Sequence, residues 1–282
     1  MTGTLYVVGT PIGNLEDITF RAVRILQEVD LIAAEDTRHT GKLLQHFQIK
    51  TPQTSYRDHN RSRRIPELLE LMSQGKAIAL VTDAGMPGIS DPGYELVKAS
   101  IDAGASVVPI PGPSACVTAL SAAGLPAERF AFEGFLPAKG KERRQRLEAL
   151  QREFRAIVLY EAPHRLQQTL TDLAKVLGVN RSLVLARELT KLHEEFWRGT
   201  INEAIDYCDR TGQPKGEFTL VIAPRQEDQA TAISESQLKA ELQQLLKQGM
   251  SRSEASRHLA AQAAMPRRQI YQLALTIAEE SF

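Results

Sequence analysis

Hydrophobic residues recur along this chain in two alternating rhythms. Short, nearly continuous apolar runs read as buried strands: LYVV (Leu5 to Val8), DLIAAE (Asp30 to Glu35), KAIALV (Lys76 to Val81) and SVVPI (Ser106 to Ile110). Between them lie RAVRILQEV, GKLLQHF and YELVKASIDAG, whose apolar positions return every three or four residues, the period of an amphipathic helix. Strand and helix in alternation predict right-handed crossovers and a mostly parallel sheet. The pattern breaks at PIPGP (Pro109 to Pro113), resumes with a helix over Ser114 to Ala123, and then changes texture. Five further strands follow: FAFEG (Phe130 to Gly134), RAIVLYE (Arg155 to Glu161), SLVLARE (Ser182 to Glu188), EEFWRG (Glu194 to Gly199) and GEFTLVIA (Gly216 to Ala223). Two of these are only a few residues apart, which predicts antiparallel neighbours and a mixed sheet.

Beyond Pro224 the stretch QEDQATAISES is polar and linker-like, and three helical segments follow, at about Gln237 to Lys247, Ser253 to Ala263 and Arg267 to Glu279. Ser251-x-x-Glu254 is a capping box for the second, and Gly249 can end the first. A basic MPRRQ opens the third, so the group looks like a helix-turn-helix unit; a packing or dimerisation appendage is the plainer alternative. The expected organisation is an N-terminal α/β domain over residues 1–112, a mixed-sheet α/β domain over 113–226 and a helical extension over 233–282.

Composition narrows the classes. In 282 residues, 34 basic and 34 acidic side chains cancel, so any affinity for nucleic acid has to come from local basic patches. Cys116 and Cys208 are the only cysteines and have no metal-site spacing, which points to small buried side chains. There is no basic flank before the first apolar run and no apolar segment of roughly 18 residues, so a cytoplasmic protein without a signal peptide or membrane span is expected.

The chemistry gathers at strand ends. GTPIGN (Gly9 to Asn14), containing Pro11, forms a tight loop after the first strand, where open α/β sheets bind ligands. AAEDTRHT (Ala33 to Thr40) brings Asp36 and Arg38 to the second strand's end; helix capping explains Asp36 but not its neighbours. YRDHNRSRR (Tyr56 to Arg64) offers Arg57, Arg61, Arg63 and Arg64 for phosphates, with His59 and Asn60 nearer a reacting group, or else is a solvated helix start. LVTDAGMPGISDPG (Leu80 to Gly93) holds too many glycines and prolines for a strand or helix interior. It is a rigid loop able to approach a ligand closely, with Asp83, Ser90 and Asp91 as polar contacts. PGPSACVTAL (Pro111 to Leu120) places Ser114 at a helix N-cap. In KGKERRQR (Lys139 to Arg146), Lys139, Lys141, Arg143 and Arg144 form a second basic run, or one face of an exposed helix.

These motifs, with GFLP (Gly134 to Pro137) and ARELTK, resemble the tetrapyrrole-methylase superfamily, and more narrowly its ribosomal RNA small subunit methyltransferase I branch, over about Leu5 to Ala223. The resemblance implies 2′-O-methylation of a cytidine in 16S rRNA by S-adenosylmethionine bound between two α/β domains. It further implies a homodimer, and neither a metal nor a second cofactor. Cofactor contacts are then expected from Pro11, Asp83, Ala84, Gly85, Met86, Pro87, Ile89, Ser90 and Asp91. Ser114, Ala115, Tyr160, Glu161, Leu189 and Thr219 complete the set. The superfamily's Gly-Asp-Pro triplet is Gly85-Met86-Pro87 here, so its aspartate is missing. Asp36, Arg38, His59 and Asn60 are expected around the acceptor hydroxyl, with Asp36 or His59 as base. Competing expectations are a small-molecule or protein methyltransferase of the same fold, and an RNA-binding assembly factor that does not turn over cofactor.

Overall fold

The computed structural model describes residues 3–212, 214–225, 235–260 and 267–279. The chain divides into two compact units, Met1–Pro224 and Arg225–Phe282.

The first unit holds two five-stranded sheets. Strands β1 (Thr4–Val8), β2 (Leu31–Ala34), β3 (Gln53–Ser55), β4 (Ala77–Val81) and β5 (Ser106–Ile110) form a wholly parallel sheet in the order β3-β2-β4-β1-β5. Their side chains alternate between two cores, as strand geometry requires. Val8, Ile32, Ala34, Ala79 and Val81 pack on α1 (Phe20–Glu28) and α2 (Thr37–His46). Leu5, Ala33, Ile78 and Leu80 pack on α3 (Arg61–Ser73) and α4 (Tyr94–Asp102). Both faces are therefore covered, which is why the central strands β1, β2 and β4 read as continuous apolar runs, whereas the edge strand β3, QTS, does not. β1 and β4 are neighbours whose following helices lie on opposite faces, which opens a crevice at their carboxyl ends.

The second sheet is mixed, as expected. Here β6 (Phe130–Phe135) runs parallel to β7 (Ala156–Glu161), and antiparallel pairs link β7 to β10 (Phe218–Ile222), β10 to β8 (Ser182–Arg187) and β8 to β9 (Glu195–Thr200). One face carries α6 (Gly140–Gln151), α7 (Leu166–Leu177) and α8 (Ile201–Thr211), and the other carries α5 (Ala115–Ala123). Cys116 and Cys208 are free and buried on α5 and α8.

In the second unit, α9 (Glu235–Lys247), α10 (Arg252–Ala260) and α11 (Arg267–Glu279) share an apolar core of Leu238, Leu242, Ala255, Leu259, Ile270, Ala274 and Ile277. The Ser251–Glu254 capping box forms in both directions, and Gly249 ends α9 at a φ of 89°. The expected helix over Ser253 to Ala263 starts one residue earlier, and its residues 261–263 lie outside the described residues. So do most of the polar stretch QEDQATAISES, through residue 234, and the start of MPRRQ. No described helix is long and apolar enough to cross a membrane.

Candidate active site

The floor of the crevice is set by contacts that leave no room for side chains. Gly9, after β1, and Gly112, after β5, meet face to face: a Cβ on either would lie 2.7 Å from the other's Cα. Thr10 and Gly85 exchange two backbone hydrogen bonds, of 3.0 and 3.1 Å, which ties the first loop to the glycine-proline loop after β4. On its other side the first loop leans on the second sheet, where Gly13 abuts Leu189, Thr190 and Lys191. The result is a cleft between the two sheets. It is lined by Ile12, Ala84, Gly85, Met86 and Ile89 on one wall, and by Ser114, Ala115, Tyr160, Leu189, Lys191, Glu217 and Thr219 on the other.

Nine residues anticipated as cofactor contacts therefore line one cavity. Pro11, Asp83, Pro87, Ser90 and Asp91 are not in the lining. Glu161 is a correction: its carboxylate is fully buried on the far side of β7. It accepts hydrogen bonds from the Thr169 hydroxyl at 2.6 Å and the Ala162 amide at 2.9 Å, beside Arg165. Successive strand residues point to opposite faces, so Tyr160 and Glu161 cannot both reach the cleft. Three lining residues were not anticipated: Ile12, Lys191 and Glu217. Lys191 bridges Glu188 at 2.8 Å and Glu217 at 3.1 Å, and that link between two loops was invisible in sequence. Ser114 occupies the N-cap position of α5 without making the expected side-chain cap. Its hydroxyl pairs with Tyr160, whose phenolic oxygen also accepts the Cys116 amide at 3.1 Å. Burial pushes the Tyr160 phenol up to about 12, so it stays protonated and holds the start of α5 against the sheet.

A polar rim surrounds the ends of β2 and β4. Asp36 caps α2, accepting from the Arg38 amide at 2.9 Å and from the Arg38 guanidinium at 3.1 and 2.7 Å. Arg57 reaches the same carboxylate at 2.9 Å and donates to the Glu35 carbonyl at 2.7 Å. The hydrogen-bonded Arg38 guanidinium, then its backbone amide, hold the Asp36 carboxyl well below the usual carboxylate range. Of the two bases expected, Asp36 and His59, Asp36 is engaged in anchoring Arg38 and Arg57, which stabilise its carboxylate against protonation. Asn60 is likewise committed, accepting from the Arg57 amide at 2.8 Å and donating to the Ser55 carbonyl at 3.3 Å. His59 is exposed.

On the same rim, Glu35 accepts from the Asp83 amide and Asp83 from the Asp36 amide, each at 3.2 Å. Asp91 faces both of these carboxylates. Burial, then the negative charges of Glu35 and Asp83, push its carboxyl up to about 7.

The two basic runs differ from expectation. Arg61 pairs with Glu95 and Asp58, Arg64 with Glu67, and Arg63 more loosely with Glu67. Arg143 is a correction. Its side chain is 8% exposed and its guanidinium spans Asp172, the Thr169 hydroxyl and the Pro137 carbonyl, so it binds protein and not RNA. One helical turn explains this: Arg143, Leu147 and Leu150 fall on the buried face of α6. Lys139, Lys141 and Arg144 are exposed and have no ion-pair partner among the described residues.

Two sheets that enclose a cleft at the carboxyl ends of a parallel set form the architecture of a methylase class. The sequence model of the Tetrapyrrole (Corrin/Porphyrin) Methylases matches residues 4–205. Solved structures share the fold. Cobalt precorrin-4 methyltransferase superposes with a TM-score of 0.61 at 16% identity, over 78% of this chain and 94% of that one. Uroporphyrin-III C-methyltransferase from Thermus thermophilus, complexed with S-adenyl homocysteine, gives 0.57 at 16% identity, over 78% and 97%. Closer in sequence are proteins named ribosomal RNA small subunit methyltransferase I. The one from Synechocystis sp. is 58% identical over 98% of both chains, and that from Halalkalibacterium halodurans 47% identical over 96% and 94%. A relative of the same name from Thermotoga maritima is 50% identical and is matched over its whole length by 79% of this chain. The chain belongs to the ribosomal RNA small subunit methyltransferase I family, within the tetrapyrrole methylases.

Proposed function

We propose that this protein is an S-adenosylmethionine-dependent methyltransferase that modifies the 2′-oxygen of a cytidine ribose in 16S rRNA of the small ribosomal subunit, acting as a cytoplasmic homodimer. The observation that carries the substrate class is identity of 58% over nearly the whole length to a relative named for that substrate. Supporting it, Lys139, Lys141 and Arg144, exposed and without an ion-pair partner among the described residues, together with Arg38 at 85% side-chain exposure, give a neutral chain local sites for phosphate.

The cleft suits the cofactor. Ile12, Met86, Ile89 and Leu189 supply apolar wall for an adenine, while Ser114, Lys191, Glu217 and Thr219 supply polar groups for an amino acid and a ribose. When bound, S-adenosylmethionine supplies an electrophilic methyl group, which the ribose oxygen takes as the sulfonium leaves as a neutral thioether. The chain's own work is to orient and deprotonate the acceptor. Asp91, which stands on the rim with Glu35 and Asp83 and whose charge acts on the cleft-lining Tyr160, is the proposed acceptor of the hydroxyl proton, its carboxyl being raised to about 7 by burial. Arg38, fixed by Asp36, holds a flanking phosphate or steadies the developing alkoxide.

The test is incubation of the purified protein with methyl-labelled S-adenosylmethionine and small subunits lacking the modification, followed by complete nuclease digestion. Label in a 2′-O-methylcytidine is the expected result. Label on a base, or none in RNA, overturns the proposal.

A further inference from the structure

One side chain at the cleft mouth is used by nothing described so far. Phe135, the last residue of β6, is a large aromatic left 52% exposed beside a cleft, with its ring 5.6 Å from that of Tyr160 in an edge-to-face arrangement. Phe132 contacts the same Tyr160 ring at 4.9 Å. In a regular strand, residues three apart point to opposite faces. Here they share one, because β6 carries a bulge: Phe132 pairs with Val158, Gly134 with Leu159 and Phe135 with Tyr160, so one extra residue is accommodated between Phe132 and Gly134. Gly134 makes this possible at a φ of 60°, and a Cβ there would lie 2.8 Å from the Ser90 hydroxyl of the glycine-proline loop. The bulge puts Phe135 on the sheet face that carries Tyr160, a residue of the cleft lining, and brings Gly134 itself against that loop.

The backbone just after Phe135 is clamped from inside the fold. Arg165 donates to the Leu136 carbonyl at 2.5 Å and Arg143 to the Pro137 carbonyl at 2.9 Å. Those arginines are held in turn by Glu161 and Asp172. Lys139, Lys141 and Arg144 follow at once, exposed and unpaired among the described residues. A rigid exposed aromatic ring beside free cations fits a nucleotide: the ring takes the face of a base and the cations take phosphates.

We propose that Phe135 is the stacking platform for the base of the acceptor nucleotide, so that the ribose is presented to the cleft with its base splayed out of the RNA. This rests on the rRNA assignment above. A base turned out of its stack needs a surface to replace the lost stacking, and the ring next to Tyr160 is placed to supply it.

The test compares wild type, Phe135→Ala and Phe135→Trp in steady-state methylation of small subunits lacking the modification, alongside calorimetric S-adenosylmethionine binding and sedimentation. Phe135→Ala should lower kcat/KM for subunits by about ten-fold or more, with cofactor Kd unchanged within about two-fold. Phe135→Trp should restore most of the activity, and its added indole should be quenched when unmodified subunits bind. The proposal is overturned if Phe135→Ala turns over normally, if its loss follows weakened cofactor binding, or if sedimentation shows that the substitution has only broken a dimer. If wild type itself places no label in small-subunit RNA, the rRNA assignment fails, and that outcome is distinct from failure of the platform.

Discussion

At Asp91, burial and neighbouring charge act together on one carboxyl. Its carboxyl is pushed from an ordinary value near 4 up to about 7, first by burial and then by Glu35 and Asp83. The folded chain therefore binds this proton more tightly than the unfolded chain does. Stability is then favoured while the group is protonated, and declines as pH rises from about 4 to about 7. Asp91→Asn removes the penalty, so its Tm by calorimetry should exceed that of wild type by a few degrees at pH 8 and match it at pH 4. Catalysis should respond in the opposite sense. Methyl transfer should rise through pH 7 as Asp91 ionises, and Asp91→Asn should lower kcat by about 10²-fold or more and flatten that rise. A slow variant that keeps the wild-type pH limb would show that another group takes the proton. Asp36→Asn is the contrast: it releases Arg38 and Arg57 and should weaken turnover while leaving the limb near pH 7 in place. Sequence marked Asp36, with His59, as the candidate base and Asp91 as a cofactor contact; the proposed roles are an arginine anchor for Asp36 and the base for Asp91. Capping potential is legible from Asp36-Thr37-Arg38, whereas the fold-back of Arg57 onto Asp36 and the nearness of Glu35 to Asp91 depend on contacts between separate strand ends.

Among the elements, α6 shows how a charge run can conceal a structural residue. Lys139 to Arg146 reads as one basic stripe, yet the helical period splits it: Lys141 and Arg144 face out, while Arg143 turns in beside Leu147. A partner 29 residues away, Asp172 on α7, decides the matter, and no local pattern announces it. Arg143→Ala leaves that carboxylate, 15% exposed, without its main partner and frees the Pro137 carbonyl. It should destabilise the protein by about 3 kcal/mol in a denaturant titration. Arg143→Met combined with Asp172→Leu should recover much of the loss, because no uncompensated charge remains. Lys141→Ala and Arg144→Ala should leave stability within about 0.5 kcal/mol of wild type and weaken subunit binding, since both are exposed. Nine of the ten strands were legible as apolar or alternating runs, those of the first sheet because burial on both faces favours continuous apolar stretches; the edge strand β3, QTS, carries no such run. The bulge at Gly134 was not: a glycine in FAFEG marks a possible irregularity, but its register is set only by pairing with β7.

At the scale of the whole molecule, each of the two compact units carries the core it needs. The sheets of Met1–Pro224 bury their own helices, and every residue lining the cleft falls within that unit. The three C-terminal helices bury Leu238, Leu242, Leu259 and Ile270 among themselves. A relative from Thermotoga maritima is matched over its whole length by 79% of this chain. A chain ending after Arg225 should therefore fold, and should bind S-adenosylmethionine within about two-fold of the full chain by calorimetry, since no cleft residue is removed. Its thermal transition should keep the midpoint of the larger unit, because the cores are separate. A truncated chain that binds cofactor ten-fold more weakly, or that aggregates on purification, would mean that the helices support the cleft itself. Comparing the two chains on intact small subunits then isolates what the helices add: a raised KM with unchanged kcat would place them in holding the substrate and not in the transfer step.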